Sequence, residues 1–215
     1  MRFIETIKNI WKIEDLRNRL LTTALFVLIY RFGSYVILPG VNPDALTALK
    51  GQTEGGLMAL LDMFSGGAFS NASIFALGIM PYISASIVVQ LLSIAVPYFQ
   101  KMQKEGESGR QKMNQITRYL TVAILLFQGP SYLFNLRAQI AAAVQSTPAL
   151  ANVEVPVIGF NGFTITATIL LAAGSMFVLW LGERITDRGV GNGISFIILI
   201  GIIARLPGAF ILEFS

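Results

Sequence analysis

MFSGGAFSNASIFALGIMPYISASIVVQLL, residues 63–92, decides how this chain is read. A glycine-broken opening dotted with Ser65, Ser70, Asn71 and Ser73 runs straight into an apolar stretch long enough to cross a membrane. A simple membrane anchor has no use for such a broken approach. Irregular backbone at membrane depth is tolerated only where protein or a water-filled cavity surrounds it. The segment therefore points to a pore or a transport pathway.

Composition agrees. The 215 residues are 54% hydrophobic and 13% charged, where a soluble domain is about a quarter charged. The chain has neither cysteine nor histidine. Disulfides, thiolate chemistry and the commonest neutral-pH acid/base and metal ligand are thereby removed, so no cofactor or metal is expected and the inventory suits an enzyme poorly.

Outward from the opening stretch, five segments have the length and apolarity of a span: 20–38, 74–96, 119–136, 163–181 and 194–212. Arg31 lies in the first, and Arg205 and Pro207 in the last. Residues 1–19 read as an amphipathic interfacial helix rather than a cleavable leader, because no small-residue cleavage site follows. Lys and Arg are distributed unequally. The segments 1–19, 97–118 and 182–193 hold twelve of them, whereas the alternate side holds only Lys50, Arg137 and Arg205. By the positive-inside rule the N-terminus is cytoplasmic and the chain end at 215 external. The net charge of +4 then needs no nucleic acid, and no stretch interleaves aromatic and basic residues as a single-strand binder would.

The segment 39–73 is a long external excursion with an apolar helix candidate at 57–64, too short to span but able to re-enter. On the second span Ile79 and Ile83 share a helix face, with Ile87 and Gln90 near the same stripe; Ile194 and Ile198 repeat the spacing on the fifth. Isoleucine is common in membrane helices, and that is the plain reading. The functional one is a ring of branched aliphatic side chains, a constriction that seals by dewetting. Pro81 is expected to kink the second span. Ser84, Ser86 and Gln90 are expected to face protein or water. Arg31 is costly at depth, and Asp62 is its candidate partner. The turn WLGERITDRGVGNGIS, 180–195, spaces Gly189, Gly191 and Gly193 like a phosphate loop. No strand precedes it and no Gly-Lys-Ser/Thr follows, so a charge-paired turn is the better reading.

Taken together, FSGGAFSNASIFALGIMPYISASIVVQLL (64–92), KEGESGRQKMNQITRYLT (104–121), WLGERITDRGVGNGIS (180–195) and YRFGSYVILPGVN (30–42) resemble the bacterial SecY family of protein-conducting channel subunits. The resemblance covers essentially the whole chain and ends after the fifth of the family's ten spans. It implies an all-α polytopic fold in which five helices and a re-entrant plug half-helix form one half of a pseudo-symmetric clamshell. It implies a plug that includes Phe64, Ser65, Gly66, Gly67 and Asn71, a pore ring that includes Ile79, Ile83, Ile194 and Ile198, and a lateral gate touching Ile87 and Gln90. Lys104, Arg110 and Lys112 fall on a surface facing cytosolic partners. The implied partners are small membrane subunits of the SecE and SecG type, the SecA motor ATPase, the ribosome, signal-sequence-bearing polypeptides and the lipid of the bacterial cytoplasmic membrane. Asn71 stands where many members carry Arg, and Gln111 where a second basic residue often follows Arg110. The alternative from the residues themselves is half of a secondary transporter, which predicts carboxylates or a cation site at the midplane.

Overall fold

The computed structural model describes residues 12–41, 46, 62, 63, 65–146 and 162–213. Six helices carry the described chain: α1 (Glu14–Gly33), α2 (Met80–Ala95), α3 (Pro97–Lys104), α4 (Glu107–Ser146), α5 (Gly162–Arg188) and α6 (Gly193–Glu213). Among the described residues the structure is helices joined by turns, with one isolated antiparallel bridge between Ile37 and Ser73. Helix α5 is the central element, packing on α1, α4 and α6, while α2 and α3 lie on α4.

Two prolines set the helix boundaries. Pro81 stands in the first turn of α2, where its missing N–H costs nothing, so it starts the helix rather than kinking one already formed. The helix accordingly begins at Met80, and the preceding residues 65–79 form consecutive turns. Pro97 does the same for α3, and the chain bends by 98° at Val96 between α2 and α3. The basic connection is thus largely helical: α3 ends at Lys104, and α4 starts three residues later at Glu107.

By length and composition α4 and α5 can each cross a membrane, the bent α2–α3 pair makes a third candidate, and the start of α6 is a shorter apolar helix. Large apolar side chains point outward, among them Phe127 (82% exposed), Phe32 (77%) and Ile94 (74%). Such faces suit lipid or further protein, not water. The buried residues of α5 recur three and four apart (Ala167, Leu171, Gly174, Ser175, Val178, Ile185), and its small residues let neighbouring backbone come close. Around it lie two apolar clusters. One joins Tyr132, Leu133 and Leu136 of α4 to Leu171 and Ala76. The other joins Tyr30 of α1, Phe75, Val178 and Ile185 of α5, and Ile197 of α6.

Candidate functional site

The second cluster is where the isoleucines meet. Ile79 is a buried member, and Ile83, Ile194 and Ile198 pack against the cluster half-buried. Helical spacing puts Ile83 one turn beyond Ile79, and the same spacing on α6 brings Ile194 and Ile198 to the same place. Two elements far apart in sequence thus present branched aliphatic side chains to one locus, each keeping an open edge.

Beside it runs the irregular segment 65–79. Its turns satisfy some of their own backbone, with Gly67 N–H donating to Asp62 O (2.9 Å), Ser73 N–H to Ala68 O (3.1 Å) and Gly78 N–H to Phe75 O (2.8 Å). The strand-like residues after α1 take two more pairs, Leu38 N–H to Ala72 O and Ile74 N–H to Val36 O. Side chains of surrounding helices reach three carbonyls of the segment, two of which, Ser65 O and Phe69 O, also accept a backbone N–H from its own turns. Tyr30 OH donates to Ser65 O (3.2 Å), Arg31 Nη1 to Gly66 O (2.9 Å), and Tyr132 OH to Phe69 O (2.9 Å). Ser65, Gly66, Gly67 and Ala68 are buried and Asn71 is half-buried. This is the condition for irregular backbone at membrane depth: the polar groups are taken up by protein. Phe64 and most of the helix expected at 57–64 lie outside the described residues.

Arg31 and Asp62 take separate roles. The guanidinium bonds the Gly66 carbonyl and approaches the Tyr35 hydroxyl (3.4 Å), while Asp62 is buried and accepts the Ser70 N–H at 2.8 Å. The spacing-based reading missed this because a free backbone carbonyl in a broken segment competes with a carboxylate for a cation, and sequence does not reveal which carbonyls are free. Tyr132 carried no signal beyond being an aromatic in an apolar helix.

Ile87 and Gln90 stand apart from the cluster on the outward side of α2. Ile87 is 51% exposed, and the Gln90 amide donates to Ser86 Oγ (3.3 Å) within the same helix. Ser84 lines a pocket of about 230 Å³ with Gln128, Ser131, Tyr132 and Asn135 of α4. Lys104, Arg110 and Lys112 are all exposed around the α3–α4 junction, and Lys112 pairs with Glu105 (3.4 Å).

In the 180–195 turn the expected charge pairing reaches across helices instead: Glu183 of α5 binds Arg118 of α4 at 2.6 Å. Of the glycine-spaced amides, those of Gly189 and Gly193 are committed within the protein. Gly189 N–H donates to Ile185 O, Val190 N–H to Thr23 Oγ1 and Gly193 N–H to Thr186 Oγ1. Asn192 Oδ1 then accepts from Ile194 N–H (3.1 Å) and Ser195 N–H (3.3 Å), capping α6. Asn192→Ala is expected to cost about 1 kcal/mol of stability, read as a lowered thermal midpoint in detergent, whereas an unchanged midpoint would deny the cap its role.

Known proteins resemble this chain closely in sequence. The SecY family model matches residues 73–214. The protein translocase subunit SecY of Pseudomonas aeruginosa is 46% identical over 197 residues, covering 92% of this chain and 41% of the relative. The protein translocase subunit SecY of Aquifex aeolicus is 42% identical over 208 residues, with 96% and 47% covered. That of Escherichia coli K12 is 45% identical over 195 residues, with 91% and 42% covered. The chain thus spans a little under half the length of these relatives. Matched by the family model over most of its length, and by these relatives at 42–46% identity, the chain belongs to the SecY family.

Proposed function

We propose that this chain is one half of a passive, gated channel that conducts unfolded secretory proteins across the bacterial cytoplasmic membrane and releases membrane proteins sideways into lipid. The observation that carries the reading is the convergence of Ile79, Ile83, Ile194 and Ile198 on one apolar cluster beside a buried, broken segment. A ring of aliphatic side chains excludes water and ions without binding them, and it yields to an extended polypeptide. In this reading α1, the α2–α3 pair, α4, α5 and α6 supply five spans, and the segment ending at Asn71 is the plug. Ile87 and Gln90 edge a lateral gate. The exposed Lys104, Arg110 and Lys112 face the cytosol, where a motor ATPase of the SecA type or a ribosome docks and supplies energy. Small subunits of the SecE and SecG type and the missing half complete the assembly. The channel does no covalent chemistry of its own.

The test is a single cysteine at Ile83 in the complete channel, crosslinked by disulfide to a cysteine in a stalled secretory precursor. Val88 is the comparison site: it is 42% exposed, and at 3.6 residues per turn it lies about 140° round the helix. Ala85 is wholly buried and unsuited to that purpose. Crosslinking at 83 and not at 88 is expected. An engaged precursor that reaches neither site, or both equally, removes the polypeptide path from this stripe.

A further inference from the structure

Gly66 is the most constrained residue of the broken segment. It is buried and holds a left-handed backbone (φ 64°), as does Gly67 after it (φ 90°). On one side its carbonyl accepts the charge-assisted hydrogen bond from Arg31, and the carbonyl of Ser65 just before it accepts from Tyr30. Two consecutive residues of α1 thus grip two consecutive carbonyls. The backbone of α6 presses against Gly66 as well, on a side where a Cβ on Gly66 would also lie 3.2 Å from Arg31 Nη1. A Cβ placed on Gly66 would lie 2.9 Å from the Cα of Gly201 and 3.5 Å from its carbonyl oxygen. Neither neighbour is a flexible side-chain end, so no rotamer relieves the contact.

We propose that Gly66 is the latch point of the plug: Arg31 of α1 holds its carbonyl, Gly201 of α6 forms its seat, and the channel opens when this grip is released. The inference rests on the channel reading and names residues that control the resting state within it. Arg31 suits the task because a guanidinium keeps its charge at any working pH and directs several donors in fixed directions. One donor goes to the Gly66 carbonyl, and another lies 3.4 Å from the Tyr35 hydroxyl, with the guanidinium carbon 5.7 Å from that ring's centre. Tyr35 therefore holds Arg31 in its aim. The latch is sensitive to anything that draws α1 away from α6.

The experiment measures ion conductance of the complete channel in planar bilayers without precursor, for Arg31→Met, Arg31→Lys, Gly66→Ala and, as reference, Ile83→Gly. Arg31→Met removes every donor at similar length. It is expected to raise the resting leak roughly tenfold or more, the factor one charge-assisted hydrogen bond commands in a closed–open equilibrium. Arg31→Lys keeps a charged donor and is expected to restore part of the closure. Gly66→Ala forces a methyl group against Gly201 and the Arg31 guanidinium together and is expected to leak as well, so it decides the matter even where Arg31→Met does not assemble. A quiet Gly66→Ala, or a quiet Arg31→Met in an assembled complex, overturns the latch when Ile83→Gly leaks. Silence from all variants, Ile83→Gly included, in complexes that also fail to take up precursor, overturns the channel reading itself.

Discussion

Replacing Ile83 with glycine is expected to raise the resting ion leak of the complete channel severalfold in single-channel recordings. The side chain is half-buried against a cluster that contains Ile79 and against which Ile194 and Ile198 also pack, so its removal is expected to open the apolar constriction proposed there. A hydrophobic constriction blocks ions by expelling water, and the block weakens steeply once the bore admits a continuous water file. Glycine also loosens the helix by about 1 kcal/mol relative to alanine, so Ile83→Ala separates the two effects. A leak in both variants assigns it to the lost side chain, and a leak in neither removes Ile83 from the seal. Ile83→Leu, of like volume, is expected to stay tight.

The largest effect on stability is expected at Gly174, in the middle of α5. A Cβ there would lie 2.0 Å from the Ile74 carbonyl oxygen and 2.9 Å from its carbon, with the Phe75 ring at 3.2 Å. The obstruction is backbone, from the broken segment just before α2, so no side-chain rotation makes room. Overpacking in a tight interior costs about 1–3 kcal/mol, and more where backbone must move. Gly174→Ala is expected to fall in that range and Gly174→Val beyond it. Both are measured as a drop in the thermal midpoint of the purified complex in detergent. A Gly174→Ala protein that melts with the wild type would mean α5 does not lie against Ile74 at all. Since α5 packs on α1, α4 and α6, the same substitution is also expected to displace the broken segment that carries Gly66.

Much of the architecture was legible because it depends on local composition. The apolar runs that became α4, α5 and α6 are long and poor in charge, and a helix is the only open-chain structure that satisfies its own backbone in lipid. The Ile79/Ile83 and Ile194/Ile198 spacings were legible for the same reason, since a helix face follows from periodicity. Where the helix starts within the second apolar run was not legible in the sequence. The apolar run begins at Ile74, and hydropathy does not distinguish helix from buried turns; Pro81 and Gly78 mark the boundary only once the helix is known to begin at Met80. The 180–195 turn shows the same division. Its glycines and charges were visible, but the partner of Glu183 proved to be Arg118, sixty-five residues away.

What the sequence determined by itself is the membrane-length helical character, the asymmetry of Lys and Arg between alternate segments, and the family, all of which reside in composition, periodicity and contiguous motifs. What only the tertiary structure decided is which side chains reach the carbonyls of residues 65–79: Tyr30, Arg31 and Tyr132. It also decided where backbone meets backbone, at Gly66 on Gly201 and at Gly174 on Ile74. The physical reason is that hydrogen-bond satisfaction and close packing are properties of a volume. They depend on residues brought together from distant parts of the chain, and no local pattern in the sequence encodes that meeting.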